Sequence, residues 1–270
     1  MPKHLRLDAE LVRRGLVASR AEARRAIEDG LVEVNGVKAE KVATMVASAT
    51  PVALAGPLAP FVSRGGVKLD GALERFQLDV SGRRWLDAGA STGGFTDCLL
   101  KRGASQVAAV DVGYGQLDWS LRNDERVTVI ERANVRDLTL DMIPWQPDGV
   151  VADLSFISLR LVLPALAGVA VDDADIVVMV KPQFEVGRDA VGSGGVVRDP
   201  ELWRSAVRGV IDRAAELGLG PAGIVPSGLP GPAGNREFFV WLRRDTSSDP
   251  EGLEAAIAEA AGGEGGRMKG

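Results

Sequence analysis

The sequence predicts an α/β domain with a mainly parallel, doubly wound sheet, preceded by a smaller α+β domain. Three observations carry this prediction. From about residue 84 onward, apolar strands alternate with helices, the order typical of a parallel sheet covered on both faces. A glycine-rich turn follows the first of those strands. The first 55 residues have another pattern, in which short helices precede an Asn-Gly hairpin.

The composition is that of a globular protein. The chain has 270 residues, of which 46% are hydrophobic and 26% charged, enough for one large domain or two smaller ones. No apolar run reaches the ~18 residues of a membrane helix, and the first residues are charged, unlike a signal peptide. The single cysteine, Cys98, excludes an intrachain disulfide and fits a reducing cytosol. We therefore expect a cytoplasmic protein, and the single histidine, His4, argues against a histidine triad or a His-rich metal site.

The net charge of −5 is unevenly distributed. Residues 1–60 carry nine Lys and Arg against seven Asp and Glu, whereas the remainder of the chain has a net charge of −7. This asymmetry indicates that the N-terminal part binds a polyanion.

The N-terminal domain is predicted over residues 1–55. A first helix ends near Gly15, and Ser19 caps a second helix, in which Glu22 completes a capping box. Gly30 ends that helix.

A hairpin follows these helices. Alternation over residues 31–34 predicts a strand, Asn35-Gly36 predicts the turn, and residues 37–39 begin the return strand. Residues 52–54 add another strand.

This layout resembles the RNA-binding domain of ribosomal protein S4. The matching residues are R-L-D at 6–8, G-L at 15–16, S-R at 19–20 and V-x-V-N-G at 32–36. The basic side chains form a predicted phosphate-binding face, extended by one arginine of the next segment: Arg6, Arg13, Arg14, Arg20, Arg24, Arg25, Lys38, Lys41 and Arg64. The alternative is that they are solvated helix charges, several of them paired with Glu10, Glu22 or Glu28.

The second domain is organised around the stretch from Arg84 to Thr96. A buried strand ends at Asp87, and residues 89–94 form a turn that opens a helix. Such a strand, turn and helix place backbone N–H groups around a small ligand. The order D-x-G-A-x-x-G-G-F-T is not the dinucleotide fingerprint, because Ser91 stands where the second glycine of that fingerprint belongs.

This motif resembles the first motif of S-adenosylmethionine (SAM)-dependent methyltransferases, in particular those of the FtsJ type. The resemblance implies SAM as cofactor. The predicted cofactor-binding residues come from the motif and from later strand ends: Asp87, Gly89, Ala90, Ser91, Gly93, Gly94, Phe95, Thr96, Asp111, Val112, Asn134 and Asp153. Asp111 lies about 20 residues beyond the turn, where nucleotide-binding folds place the acid that receives ribose hydroxyls.

Further apolar strands are predicted at residues 106–112, 127–130, 149–153 and 175–182. Since parallel strands end at one edge of a sheet, and ligands collect there, the polar residues at these ends should lie together: Asp87, Asp111, Asp153 and Lys181. A helix is expected to start within residues 113–117.

The C-terminal part is predicted to complete the sheet. Residues 183–198 are expected to form a mobile glycine-rich loop over the site, followed by a helix over about 200–217. The run 238–242 is interpreted as an antiparallel edge strand, so the domain spans 67–245. Residues 246–270 are expected to be a flexible tail, with at most a short helix over 251–260.

The string F-V-S-R-G-G-V-K-L at 61–69 resembles the segment that joins the two domains in the TlyA family, which combines an S4-type domain with an FtsJ-type methyltransferase. We predict a linker at 56–66 and a helix over about 70–76. One departure from the family is Ala59-Pro60-Phe61, where an Arg and a Trp are expected before Val62.

The FtsJ resemblance also implies a catalytic Lys-Asp-Lys-Glu tetrad. The matching positions are Lys68, Asp153, Lys181 and Glu237. Lys181 ends an apolar strand, where desolvation favours the neutral amine that can serve as a base. Our hypothesis is that Lys181 activates a ribose hydroxyl that Asp153 orients, without a metal ion.

The family resemblance implies a 2′-O-methyltransferase acting on cytidine in ribosomal RNA. Ribosomal RNA or ribosomal subunits are the expected partners, without a membrane, and we expect a monomer. Two other functions remain open: a haemolysin or pore-forming protein, a label often attached to this family, and an RNA-binding protein with an inactive methyltransferase fold.

Overall fold

The computed structural model describes residues 4–244, 246 and 250–262. Its contacts divide the chain into two compact units, with the division between Arg64 and Gly65.

The described residues of the first unit, from His4 onward, form two helices and five short strands. They are β1 (His4–Arg6), α1 (Leu7–Arg13), α2 (Arg20–Glu28), β2 (Val32–Val34), β3 (Val37–Lys38), β4 (Met45–Ala47) and β5 (Val52–Leu54). Strands β3, β2 and β5 form an antiparallel sheet, and β1 pairs with β4. The pair of β1 and β4 was not predicted, because three residues are too few to show alternation.

Local signals place the helices and the hairpin of this unit where they were expected. Ser19 Oγ accepts a hydrogen bond from Glu22 N at 3.1 Å, and the Glu22 carboxylate accepts one from the amide of Ala18. Asn35 and Gly36 have φ angles of 54° and 76°, which suit the tight turn between β2 and β3. The apolar side chains of this unit pack into one core, which consists of Leu7, Leu11, Val17, Ala23, Ala26, Ile27, Val32, Ala39 and Val46.

The second unit is a sheet covered by helices. Its strands are β6 (Arg84–Ala88), β7 (Gln106–Asp111), β8 (Val127–Glu131), β9 (Gly149–Ala152), β10 (Asp175–Val180), β11 (Leu219–Pro226) and β12 (Phe238–Arg244). Its helices are α4 (Gly94–Lys101), α5 (Trp119–Arg122), α6 (Leu159–Val169), α7 (Pro182–Glu185), α8 (Pro200–Ala215) and α9 (Pro250–Gly262), preceded by α3 (Arg64–Phe76), which begins at the boundary between the units.

The sheet has the order β11-β12-β10-β9-β6-β7-β8. Strands β8, β7, β6, β9 and β10 are parallel, and β12 runs antiparallel to both β10 and β11. The predicted fold class is therefore confirmed. The interpretation of β12 as the edge strand is wrong, because β11 lies outside it. No strand was predicted at β11 because its Gly and Pro residues have low strand propensity. Hydrogen bonding to β12 stabilises it as a strand.

Helix α3 begins earlier than expected, at Arg64 and not near Asp70. Gly65 and Gly66 therefore belong to the first turn of a helix and not to an irregular segment, and Lys68 lies on a buried helical position.

Helix α9 differs from the expected flexible tail. It spans Pro250–Gly262, and Leu253 and Ile257 are buried in the same core cluster as β10 and β12. The prediction for residues 263–270 lies outside the described residues.

Two further segments differ from expectation. Residues 113–117 are irregular, because helix α5 begins only after Asp118, whose carboxylate caps it at Ser120 N. The expected loop at 183–198 contains α7 and two short 3₁₀ turns. In the described part of the chain, no helix has the length and apolar character needed to cross a membrane.

Candidate functional site

The glycine turn after β6 requires glycine at two positions. Gly89 has φ +86°, and a Cβ atom there would overlap the carbonyl oxygen of Asp153. Gly93 has φ +95°, and a Cβ there would overlap the side chain of Leu121. Both the backbone conformation and the close approach favour glycine, so the turn lies directly against the segment that follows β9.

Asp87 is completely buried at the end of β6. Its Oδ2 atom accepts a hydrogen bond of 2.7 Å from Thr96 Oγ1, whereas Oδ1, among the described residues, has no hydrogen-bond partner. Burial, with smaller contributions from the neighbouring Asp153 and Asp111 carboxylates, raises the pKa of Asp87 to about 7, although hydrogen bonds from Thr96 oppose the shift. An unpartnered buried carboxylate oxygen is costly unless a ligand supplies a donor.

Asp111, at the end of β7, holds the glycine turn. Its Oδ2 accepts a 2.8 Å hydrogen bond from Ser91 N, and its Oδ1 accepts a 2.6 Å bond from Gly113 N. A small cleft beside it is lined in part by Ala90, Gln116 and Glu131. The carboxylate is thus fixed at the wall of this cleft.

Lys181 and Asp153 form an ion pair at the ends of β10 and β9. Lys181 Nζ lies 2.5 Å from Asp153 Oδ1 and donates a 3.0 Å hydrogen bond to Ser155 Oγ. The Lys181 side chain is 11% exposed, so it reaches solvent only at the edge of the sheet.

Lys68 and Glu237 form a second, more deeply buried ion pair. Lys68 Nζ lies 2.5 Å from Glu237 Oε2, and the two side chains are 8% and 1% exposed. A Cβ atom at Gly231 would lie 2.6 Å from Glu237 Oε1, so the loop before β12 also approaches this carboxylate closely.

The strand register brings the two pairs to the same edge of the sheet. Val180 is paired with Phe238 in the antiparallel ladder of β10 and β12. Lys181 and Glu237 are the next residues beyond that pair, so they lie on adjacent strands at the carboxyl end of β10. Asp153 N donates to Ala88 O at 3.0 Å, which aligns the end of β9 with the glycine turn.

The other predicted cofactor residues have varied surroundings. Ala90 and Phe95 are buried, and Phe95 packs on Phe239 with ring centroids 5.9 Å apart. Gly94 begins α4. Val112 is 74% exposed, and Asn134 is exposed and caps a 3₁₀ turn through Arg136 N.

Two exposed aromatic residues at this edge were not predicted. Phe156 is 91% exposed, has φ +65° and packs on Phe184 with ring centroids 5.2 Å apart. Tyr114 is 68% exposed and lies under the guanidinium of Arg132, 4.4 Å from its ring centroid. The sequence signal was an aromatic residue in the short segment that follows each strand, three residues beyond β7 for Tyr114 and four beyond β9 for Phe156.

The predicted RNA-binding side chains of the first unit are mostly exposed, but several are engaged by carboxylates. Arg6 and Arg20 both bind Asp8, and Arg13 and Arg14 both bind Glu10. Arg24 lies 3.6 Å from Glu28, while Lys38, Lys41 and Arg64 are exposed.

Arg14 differs from the other arginines of this set. Its guanidinium also donates to the carbonyls of Ser48 and Thr50 at 3.1 and 2.8 Å, and its side chain is only 20% exposed. These contacts hold the turn between β4 and β5, so Arg14 supports the domain from within.

Comparison with known proteins agrees with this architecture. The model of the FtsJ-like methyltransferase family matches residues 61–244, and that of the S4 domain matches residues 5–49. The chain therefore belongs to the FtsJ-like methyltransferases and carries an S4 domain at its N-terminal end.

Within that class, the chain belongs to the TlyA family. It is 56% identical to the 16S/23S rRNA (cytidine-2′-O)-methyltransferase TlyA of Mycobacterium tuberculosis, over 96% of this chain and 98% of that one. It is 37% identical to Hemolysin A of Brachyspira hyodysenteriae, over 87% of this chain and 98% of that protein. A solved structure of a hemolysin-named protein from Streptococcus thermophilus has 39% identity and a TM-score of 0.73, over 96% of each chain.

Proposed function

We propose that this protein transfers a methyl group from SAM to the ribose 2′-hydroxyl of cytidine in ribosomal RNA, acting as a monomer in the cytoplasm. The observation that supports the chemistry most strongly is the placement of two lysine–carboxylate pairs at one edge of the sheet. A ribose hydroxyl is a weak nucleophile, so its methylation needs a positioned group that can take its proton.

The residues around the glycine turn fit the proposed donor. The buried Asp87 Oδ1 can accept a hydrogen bond from the ammonium of the methionine moiety. The cleft beside Asp111 suits the nucleoside, whose ribose hydroxyls Asp111 would receive. When bound, SAM supplies a methyl group activated by a positively charged sulfonium.

The Lys181–Asp153 pair supplies the proton-accepting group. We assign proton removal from the ribose 2′-hydroxyl to Lys181 Nζ, which acts as a base after it has released one proton to solvent and become a neutral amine. Asp153, 2.5 Å away, stabilises the ammonium that results. Ser155 fixes one side of Nζ through its hydroxyl. The Lys68–Glu237 pair is buried beside this base, with side chains 8% and 1% exposed, so we assign it the role of setting the local charge and holding the ribose.

Phe156 provides a surface for the target base. A phenyl ring that is 91% exposed at a positive φ angle stabilises the folded protein little, which is consistent with a role in binding. Aromatic side chains stack on unpaired bases, and that stacking contributes about 1–3 kcal/mol per base. Phe156 follows the Asp153–Ser155 segment, so a stacked base would bring its ribose toward Lys181.

Phe156→Ala is expected to lower kcat/KM for RNA by about 5- to 100-fold, because a stacking contact is lost. SAM affinity and the melting temperature should change little, while Phe156→Tyr should keep most of the activity. Steady-state methyl transfer with varied RNA concentration measures the effect. Equal kcat/KM for the alanine variant and the wild type would remove Phe156 from the RNA site.

Asp87→Asn is expected to weaken SAM binding by about 10- to 100-fold at pH 8, because a charged acceptor is lost. In the wild type, affinity should fall as pH decreases below about 7, by up to about tenfold per pH unit, because Asp87 must release a proton before it accepts the ammonium. The variant should lack this dependence. Titration calorimetry at several pH values provides the measurement, and a pH dependence that persists in the variant would contradict the assignment.

Folding stability gives an independent control for this variant. The folded-state pKa of about 7 lies above the reference value of 3.8, so the carboxylate lowers stability progressively as pH rises between these values. Asp87→Asn should therefore raise the melting temperature more at about pH 8 than at about pH 5.5. A loss of SAM binding in a more stable protein cannot be attributed to unfolding.

Mapping of ribose methylation on ribosomal RNA tests the proposed function. Ribosomal subunits from cells that lack this protein are incubated with purified protein and SAM, and protected riboses are located along both large RNAs. We expect new 2′-O-methylation at cytidine. Wild-type protein that binds SAM but adds no ribose methylation to subunits or to free ribosomal RNA would overturn the proposal.

A further inference from the structure

Asp8 joins two arginines that come from different elements of the first unit. Arg6, at the end of β1, donates from Nε to Asp8 Oδ1 at 3.1 Å and from Nη2 to Oδ2 at 3.2 Å. Arg20, the first residue of α2, donates from Nε and Nη2 to Asp8 Oδ2 at 3.2 and 2.8 Å. Both guanidinium groups therefore lie next to one carboxylate.

The carboxylate and the arginines differ in exposure. The Asp8 side chain is 6% exposed, whereas those of Arg6 and Arg20 are 46% and 59% exposed. Asp8 also accepts a 2.9 Å hydrogen bond from Ala9 N, which fixes it at the start of α1. Asp8, Arg6 and Arg20 together carry a net positive charge. Their exposed part consists of the two guanidinium groups, and Asp8 does not use all the N–H donors of these groups.

We propose that Asp8 is a positioning residue that assembles Arg6 and Arg20 into one clamp for a single phosphate group of the RNA, an inference that rests on the proposed function. Arginine recognises phosphate through forked N–H donors, and this recognition is strongest when the guanidinium is held in place beforehand. Two guanidinium groups would repel each other without a shared anion. The buried Asp8 carboxylate offsets the repulsion between the two guanidinium groups, and both groups remain partly exposed to solvent.

Net charge alone and the proposed clamp predict opposite effects on RNA affinity when the negative charge of Asp8 is removed. Removal of a negative charge from an RNA-binding face should strengthen RNA binding, because fewer phosphates are repelled. A carboxylate that only tethers β1, α1 and α2 would change stability and leave the affinity of the folded protein unchanged or higher. The clamp predicts weaker binding when Asp8 loses its charge.

The test compares Asp8→Asn with Glu28→Gln in the full-length protein. Glu28 is 61% exposed and lies 3.6 Å from Arg24, so its variant makes the same charge change on the same unit without disturbing a two-arginine site. Affinity for deproteinised ribosomal RNA is measured without SAM at several salt concentrations. We expect Asp8→Asn to bind about five- to tenfold more weakly, with a salt dependence smaller by about one phosphate contact, and Glu28→Gln to bind at least as tightly as the wild type.

Two further variants keep the test decisive if Asp8→Asn folds poorly. Arg20→Lys preserves the charge on an exposed side chain but cannot form the fork, so the clamp predicts several-fold weaker binding. In an Arg6→Gln/Arg20→Gln background, Asp8→Asn should cause no further loss. Wild-type affinity in folded Asp8→Asn or in Arg20→Lys would overturn the inference. Because binding is measured without SAM, a failure of methylation in a parallel assay would count against the proposed function alone.

Discussion

Lys181→Ala is expected to lower kcat for methyl transfer by about 10²- to 10⁴-fold, the range associated with loss of a general base. The affinity for SAM should stay within about twofold of the wild type, because Lys181 contacts Asp153 and Ser155 and not the glycine turn. Single-turnover transfer to ribosomal subunits gives the rate, and calorimetry gives the SAM affinity.

Lys101→Ala is the matched control for this variant. Lys101 is 53% exposed on α4 and pairs with Asp97 on the same helix, so its loss changes the same charge away from the strand ends. We expect nearly unchanged transfer. A Lys181→Ala protein that binds SAM normally and keeps near-full methylation would remove the catalytic assignment.

Lys68→Met and Glu237→Gln each remove one partner of the buried Lys68–Glu237 ion pair. Each variant is expected to lower the free energy of unfolding of the second unit by about 3–5 kcal/mol. Each change leaves one buried group without its partner at 2.5 Å. The double variant should recover much of this loss, since no unpaired charge remains, yet its methyl transfer should stay low. Urea unfolding and methyl-transfer assays of all four proteins complete the cycle.

An exposed ion pair provides the control for the stability changes in this double-variant cycle. Glu201 is 73% exposed and pairs with Arg204 on α8, so Glu201→Gln should cost less than about 0.5 kcal/mol. Single variants at Lys68 and Glu237 with costs as small as this would contradict a buried, coupled pair. A fully active double variant would limit the pair to a structural role.

The sheet edge was predictable because a parallel sheet brings strand ends together whatever the intervening loops do. Asp87, Asp153 and Lys181 lie at or just beyond the carboxyl ends of apolar strands, and the parallel register brings these strand ends to the same edge of the sheet. The glycine turn was equally clear, since positive φ angles and close backbone approach both require glycine at positions 89 and 93.

Elements that depend on tertiary contacts were not predictable. Strand β11 contains Pro221 and Gly223, and only its ladder with β12 makes it a strand. Helix α9 is short of large apolar residues, and burial of Leu253 and Ile257 fixes it on the core. The start of α3 was hidden by Gly65, a residue with poor intrinsic helix propensity.

The contacts between side chains were the feature that the sequence predicted least well. The sequence indicated that arginines near the N-terminus could meet carboxylates, but not that Asp8 holds two of them from separate elements. The exposure of Phe156 depends on a positive φ angle that no residue pattern indicates. Which side chains contact each other depends on how the helices and strands pack, and the spacing of residues along the chain does not determine that packing.

Replacement of the mapped cytidine by 2′-deoxycytidine tests the identity of the acceptor most directly. A ribosomal RNA fragment carrying this single change is compared with the unmodified fragment in labelled methyl transfer from SAM. Loss of transfer with retained RNA binding is the expected result, because Lys181 and Asp153 would have no hydroxyl to act on. Transfer that continues on the deoxy fragment would place the methyl group elsewhere and contradict 2′-O-methylation.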